Sequence, residues 1–595
     1  MSAPAKMRRC LLGLTALAVA LLPAGCDRDQ APLPPARAAA ALDAKLNWNE
    51  ARLIAVQDGG RYKTLDSFSR EWLRMMYGAE HFPSMTPSGS LLEWLFNRDA
   101  YNDVPVIRIK DAGVRVLFEP GLSTERQKAV AESKRLTPRE LADPARQQML
   151  RQLASNVQMQ RAINRVLDAQ AVAERMDEFL AIVPQPGGDL VAPWYAPRVL
   201  LGSLSDDQLV GLGMTRAALP PESRQPIPGL TPDAALTLIS TWSSLRAAWL
   251  EGNADRVQGY LDRLVELLPK FAGPGVYPTH GQRAAEARYY ATGKFTGGWM
   301  FYFIALLVSI FALVTGWRIP WIATIVLLLA ALGFHAYGLG LRWYILGRVP
   351  VANDFESIVA AAWIGIVVAL LIELSVRTRV LLVGAAATGF VGLVVATFVP
   401  SGGQLAVVPG ILDDVQLRIH TVMVIWAYAL IFLAAVVAAI YLLGYYGVAL
   451  RRMGAGPRPI AAGANGSPDV AMDRPLLAGA APGDEAHRGE LPAWLNNTDW
   501  AHLILLNMIF VLLFLGGLIF GAWWADYSWG RPWGWDPKEV FALNTWIIYA
   551  ILLHTRFVVR NRGLWTAWLS IAGCIMMAFN WFFVNYFIAS VHSYV

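Results

Sequence analysis

Charge is scarce in this sequence. Asp, Glu, Lys and Arg make up 16% of the 595 residues, against about a quarter in a soluble globular protein. Cysteine is scarcer still, at three positions, Cys10, Cys26 and Cys574. No CxxC occurs, which excludes thiol redox chemistry of the thioredoxin kind, and no CxxCH occurs, which excludes covalently attached haem. A net charge of +6 is small for the length, and no Lys/Arg block or zinc-finger spacing is present. Nucleic acid is therefore not an expected partner.

Apolar residues are abundant, at 55% of the chain, and unevenly placed. From Trp299 onward, apolar runs of about 20 residues recur, each long enough to cross a hydrocarbon core of about 30 Å. The pattern predicts eight membrane helices at about 299–316, 320–341, 356–374, 380–399, 420–446, 500–524, 540–559 and 564–588. Before Trp299 the composition is that of a soluble domain. The expected fold class is an all-α polytopic membrane protein with an N-terminal exported domain, mixed but mainly helical.

The N-terminus reads as an export signal over 1–26. Met7-Arg8-Arg9 is the positive start, Leu11 to Leu22 the apolar stretch and Ala24-Gly25-Cys26 the small-residue end. It resembles a lipoprotein signal with Cys26 lipidated; a conventional signal segment is the alternative. Ala/Pro-rich residues 27–46 read as a flexible tether and 47–290 as the exported domain. Within it 144–181 and 231–268 show helical periodicity, and Val104 to Phe118 is strand-like. His81 and His280 stand apart from any ligand-like neighbour and read as ordinary histidines. Residues 299–447 then hold spans one to five, and 499–595 hold spans six to eight. The stretch 448–498, rich in Gly, Ala, Pro and Asp, reads as a disordered cytoplasmic loop.

Loop charge predicts the orientation. With the soluble domain outside, the inner loops carry nine positive residues, among them Arg377, Arg379, Arg451, Arg452, Arg560 and Arg562. The outer loops carry five: Arg342, Arg348, Arg418, Arg531 and Lys538. An excess of positive charge on the cytoplasmic side agrees with the export signal. The expected location is the bacterial inner membrane, with the N-terminal domain and the C-terminus extracytoplasmic.

The segment from Trp523 to Glu539 carries the strongest chemical signal. Trp523, Trp524, Trp529, Trp533 and Trp535 fall within thirteen residues of a predicted outer loop. An interfacial aromatic belt accounts for Trp523 and Trp524 at a helix end. It does not account for Trp529, Trp533 and Trp535 set among Gly and Pro, where flat aromatic surfaces suit a large planar apolar ligand. Asp536-Pro537-Lys538-Glu539 has the form of a helix start: Asp536 as N-cap, Pro537 first, Glu539 the reciprocal partner.

The run from Trp529 to Arg556, reading WGRPWGWDPKE and ending in His554-Thr555-Arg556, resembles the tryptophan-rich signature of the System II cytochrome c assembly proteins of the CcsA type. So do Phe334-His335 through Tyr344, Arg348 to Ser357, His420-Thr421-Val422 with Tyr428, and Phe579-Asn580-Trp581 through His592-Ser593-Tyr594. The resemblance covers about 299–595. Residues 50–75, with Val56-Gln57-Asp58-Gly59-Gly60-Arg61, resemble the exported segment that precedes this module in fused forms of the system.

The resemblance implies cytochrome c biogenesis: haem b is held at the outer membrane face and presented to apocytochrome c, whose CxxCH thiols attach to it. The chain would be the haem-presenting component of a holocytochrome c synthase (haem lyase), with no catalytic residue assigned. His420 and His592, both expected at the outer face, would ligate the haem iron. Trp529, Trp533, Trp535 and Asp536 would line the haem, with Arg531 and Lys538 as candidate propionate partners. His554, near the inner end of span seven, would ligate an in-membrane haem, because ionisable groups within spans are functional candidates. His335 and His502 are weaker candidates for haem contact. The implied partners are a separate CcsB/ResB-type membrane protein, apocytochrome c, haem and the lipid bilayer. A haem transporter without ligation activity and a b-type electron-transfer subunit are the rival readings.

Overall fold

The computed structural model describes residues 31–154, 159–399, 403–407, 414–454, 491–584 and 588. The signal segment, with Cys10 and Cys26, lies outside the described residues, as do His592 and 455–490. The chain divides into two compact units whose boundary falls between Thr292 and Gly293.

The described part of the first unit is mainly helical with two small two-stranded sheets. β1 (Ala55–Asp58) pairs antiparallel with β2 (Arg61–Thr64). Gly59 and Gly60 between them both take positive φ, the requirement of a tight two-residue hairpin turn. Thr64 then caps a helix over Leu65–Met76 by accepting a hydrogen bond from Ser67 N. Leu65, Phe68, Leu73 and Met76 face the core at helical spacing. Under the hairpin lies a buried ionic cluster. Arg61 reaches Glu286 at 3.0 Å and Glu71 at 3.5 Å, Lys63 reaches Glu71 at 2.6 Å and Asp58 at 2.7 Å, and Tyr290 donates to Glu71 at 2.8 Å. It ties the hairpin to the helix Leu65–Met76 and to the unit's last helix, His280–Ala291.

Two expectations for this unit need correction. The described part of the 27–46 segment is no tether: Pro34–Ala36 is a 3₁₀ turn and Arg37–Asp43 an α-helix. Ala36, Ala39, Ala40 and Leu42 are packed into the core. Alanine has the highest helix propensity, and its small side chains let this short helix lie flat on the domain. The strand expected over Val104 to Phe118 shrinks to Ile107–Arg108, paired with Arg135–Leu136. Asp111 accepts from Val114 N at 3.0 Å and starts a helix over Ala112–Leu117. An N-cap there overrides the alternation of valines.

Among the described residues the second unit has eight helices long and apolar enough to span a membrane: Gly293–Thr315, Arg318–Leu346, Asp354–Val376, Val380–Phe398, Val415–Arg451, Ala493–Trp529, Pro537–Val558 and Arg562–Val584. Spans three and four are closely packed, because small residues face their neighbours. A Cβ on Gly392 would lie 2.6 Å from Ala362 Cβ, and one on Gly389 would lie on the Tyr302 ring. The stretch 448–498 is also corrected at both ends: the fifth helix continues to Gly454 and the sixth begins at Ala493. At 40 residues the fifth helix is about 60 Å long at 1.5 Å per residue. Crossings alternate, so the ends at 346–354, 398–415 and 529–537 share one side, the tryptophan side. The ends at 315–318, 376–380, 451–493 and 558–562 share the far side.

Removing the Glu71 carboxylate leaves two buried cations short of a partner. Glu71→Ala is expected to destabilise the first unit by about 3–5 kcal/mol. Thermal unfolding and protease sensitivity of the purified full chain check this; an unchanged midpoint would show the cluster contributes nothing.

Candidate functional site

His420 lies in the second turn of the fifth span, on the tryptophan side. Its Nδ1 donates to the carbonyl oxygen of Gly516 at 2.7 Å. A carbonyl only accepts, so the proton sits on Nδ1 and Nε2 carries the lone pair that binds metals. Gly516 belongs to a π-helical stretch, Leu513–Phe520, inside the sixth span; such segments are frequent at functional sites. Beyond it the helix resumes as Gly521–Trp529, carrying Trp523, Trp524 and Trp529, and ends where Gly530 takes φ +68°.

The tryptophan segment thus differs from the loop expected from sequence. Trp529 is helical, and the irregular part is confined to 530–536. The Gly and Pro residues that suggested a longer loop all lie at or after Gly530. Trp524 and Trp529 meet edge to face at 4.8 Å, and Trp533 and Trp535 at 5.9 Å. Trp535 is 73% exposed and has φ +56°, a left-handed conformation that a bulky residue rarely adopts. Trp533 Nε1 is buried with no hydrogen-bond partner among the described residues.

Asp536 caps the seventh span. Its side chain accepts from Lys538 N at 3.2 Å, and Glu539 accepts from Asp536 N at 3.2 Å and Gly534 N at 2.8 Å. The capping box therefore clamps the end of the tryptophan loop onto a helix. Lys538 lies within electrostatic reach of Asp354 and Asp536. Arg531 is exposed, with its guanidinium over Gly534.

Two further arrangements support this side of the bundle. Glu356, fully buried at the start of span three, accepts from Arg342 at 2.6 Å, Arg348 at 2.7 Å and Ala352 N at 2.9 Å. Arg342 also donates to the carbonyls of Gly403 and Gln404, so that the ion pair holds the chain between spans four and five. On span eight a second π-helical stretch, Phe579–Val584, carries Asn580, which donates to Tyr428 at 3.1 Å. Trp581 packs against the Tyr428 ring at 5.2 Å.

The remaining histidines are kept apart. His554 is exposed, on a stripe with Ile547, Ile551 and Val558 that follows one face of span seven. Among the described spans this one is the least covered by the rest of the chain. His554 Nδ1 donates to Ala550 O at 2.7 Å, so in the neutral ring Nε2 again carries the lone pair. Two residues on, Arg556 is locked to Asp499 at 2.7 and 2.8 Å and to Thr566 at 3.1 Å. His502 lies inside the sixth helix rather than near its expected start at about 500. The helix begins earlier, at Ala493, so His502 is buried and contacts Ser570 at 3.1 Å. His335 is buried beside Tyr302, with 3.2 Å between Nδ1 and the hydroxyl. His592, the expected second ligand of the outer pair, lies outside the described residues.

Sequence reasoning missed Gly516, Gly521 and the Tyr428–Asn580 pair as contributors. A glycine pair in an apolar helix is common, and an i→i+5 turn leaves no periodicity to read.

Fold and site define a polytopic helical membrane module with a histidine seated beside a tryptophan-rich segment. Residues 351–592 match the family described as Cytochrome C assembly protein. The chain is 27% identical to the cytochrome c biogenesis protein CcsA of Trieres chinensis, over 43% of this chain and 81% of that protein. It is 29% identical to CcsA of Synechococcus sp. (strain CC9311), over 43% and 82%. It is also 29% identical to CcsA of Prochlorococcus marinus (strain MIT 9313), over 49% and 91%. The membrane unit is thus similar, over residues 351–592, to the cytochrome c assembly family and to its CcsA proteins.

Asp536→Ala removes the cap, at about 1 kcal/mol, whereas Asp536→Asn retains one. Hydrogen exchange over 530–540 is expected to quicken in the first variant only. Equal rates in both would mean that the cap does not hold the loop.

Proposed function

We propose that this protein acts in cytochrome c biogenesis by holding haem b at the extracytoplasmic face of a bacterial inner membrane for attachment to apocytochrome c. The observation that carries the reading is His420, whose ring is held by the Gly516 carbonyl so that Nε2 is the metal-binding nitrogen, beside the tryptophan segment. On this reading His420 and His592 ligate the iron from opposite faces. Trp529, Trp533 and Trp535 support the ring, Asp536 fixes their loop, and Arg531 faces a propionate. The exposed Trp535 leaves the shelf open to a macromolecular substrate.

The reaction adds two cysteine thiols of a CxxCH segment across the two haem vinyl groups. Each addition forms one C–S bond, the thiol hydrogen ends on the neighbouring vinyl carbon, and no oxidant is consumed. The chain's part is orientation: it converts an encounter between peptide and haem into a reaction at fixed geometry. The chain would thus be the haem-presenting part of a holocytochrome c synthase.

His554 is proposed as a ligand of a second haem within the membrane. Its exposed stripe on the least buried span suits cover by a separate CcsB/ResB-type membrane partner that supplies the other ligand. A b-type electron-transfer arrangement has less support, since His335 and His502 are engaged by Tyr302 and Ser570 on different spans. Loop charge and the export-like N-terminus support an orientation with the first unit and the C-terminus outside.

The test is co-expression with the partner and an apocytochrome. His420→Ala and His592→Ala should each lower holocytochrome yield at least 10-fold and alter the spectrum of bound haem, with added imidazole partly restoring both. Unchanged spectra and yield in both variants would end the ligand assignment. His554→Ala should reduce total haem in the purified protein while leaving the outer site able to take haem added from outside. Full occupancy in that variant would remove the second site.

A further inference from the structure

The fifth and sixth spans approach closely where His420 sits. A Cβ on Gly516 would fall on Met423 Cβ, so only glycine lets the fifth span lie against that carbonyl. A Cβ on Gly521 would stand 2.9 Å from His420 Cε1 and 3.1 Å from Nδ1, so the ring occupies the space a side chain would fill. Gly517, between them, is different: its added Cβ would meet only Val424 Cγ2, at 4.0 Å. Two of the three glycines in this stretch are thus fitted to the histidine-bearing helix.

The backbone conformation belongs to the same arrangement. Gly516 lies within the π-helical stretch Leu513–Phe520, and Gly521 is the first residue after it. A π turn is wider than an α turn and shifts the carbonyls that follow it. Here the carbonyl of Gly516 accepts from His420 Nδ1 at 2.7 Å. An imidazole without such a bond exchanges its proton between both nitrogens and turns about its side-chain bonds. A carbonyl on Nδ1 removes both freedoms and makes Nε2 a stronger donor to a metal. The element that holds the ring also begins the helix carrying Trp523, Trp524 and Trp529. Ligand and aromatic surface are therefore set by one turn of backbone.

We propose that the π-helical turn Leu513–Phe520 is the positioning element for His420. Gly516 acts through its carbonyl and Gly521 through its missing side chain; together they fix the tautomer and the direction of the iron-binding nitrogen. The proposal rests on the reading of His420 as a haem ligand. It adds two positioning residues, neither of which touches haem.

The test uses the full chain co-purified with its membrane partner, and reads the absorption spectrum of bound haem. His420→Gly opens the ligand position, which is then refilled with one of three probes. Imidazole and 4-methylimidazole both keep an N–H for the Gly516 carbonyl; 1-methylimidazole has none. The first two should restore the ligated spectrum at about 10-fold lower concentration than the third, the scale of a lost outer hydrogen bond to a metal-binding imidazole. Equal concentrations for all three would overturn the proposal and leave the ligand reading intact. A spectrum unaltered by His420→Gly would overturn the ligand reading, and the proposal with it.

Gly521→Ala gives an independent measure. It should weaken outer-site ligation, raise the reduction potential of the haem and respond to added imidazole, while Gly517→Ala leaves the spectrum unchanged. A wild-type spectrum and potential in Gly521→Ala would overturn the assignment of Gly521. Should Gly521→Ala fail to accumulate, the three probes on His420→Gly decide the matter alone.

Discussion

Inside hydrocarbon a polar side chain has no water to turn to, so each must find its partner within the protein. The charged groups and histidines named here each take at least one such partner, and through it they organise the bundle. Glu356 gathers two arginines and a backbone amide. Arg556 grips Asp499 across two spans. His502 and His335 are each taken up by a hydroxyl. In every case one partner fixes the rotation of a helix whose remaining surface is apolar and indifferent to rotation. His420 obeys the same rule but takes a backbone carbonyl.

Much of the architecture was legible because hydrophobic length is a strong signal. A run of twenty apolar residues has few alternatives, and the eight spans appear in the order that runs of this kind predict. Their ends were less legible. Helices five and six extend beyond the apolar stretch because Arg451 at one end and Asn496 or Asp499 at the other continue a helix in water as well as in lipid. The short helix Arg37–Asp43 was hidden for a related reason, since alanine composition alone does not separate a mobile linker from a packed helix.

The site was legible in its side chains and illegible in its backbone. Tryptophan, histidine and the Asp-Pro-Lys-Glu helix start announce themselves by residue type and spacing, and Asp536 and Glu539 do form the reciprocal cap that the spacing suggests. Nothing in Leu513–Phe520 announces a π turn, and nothing in Gly516 or Gly521 says that an imidazole will occupy the space beside them. Contacts made by carbonyls and by missing side chains leave no letter in the sequence.

Trp535 keeps a left-handed backbone that glycine would occupy without cost. For a bulky side chain this conformation costs on the order of 1–3 kcal/mol, and it persists only because both flanks are held. Gly530 bends the chain on one side, and the capping box at Asp536 locks it on the other. The indole is accordingly sprung rather than merely displayed. A loop clamped at both ends keeps one outline, and on the proposed reading each flat guest would meet the same contour.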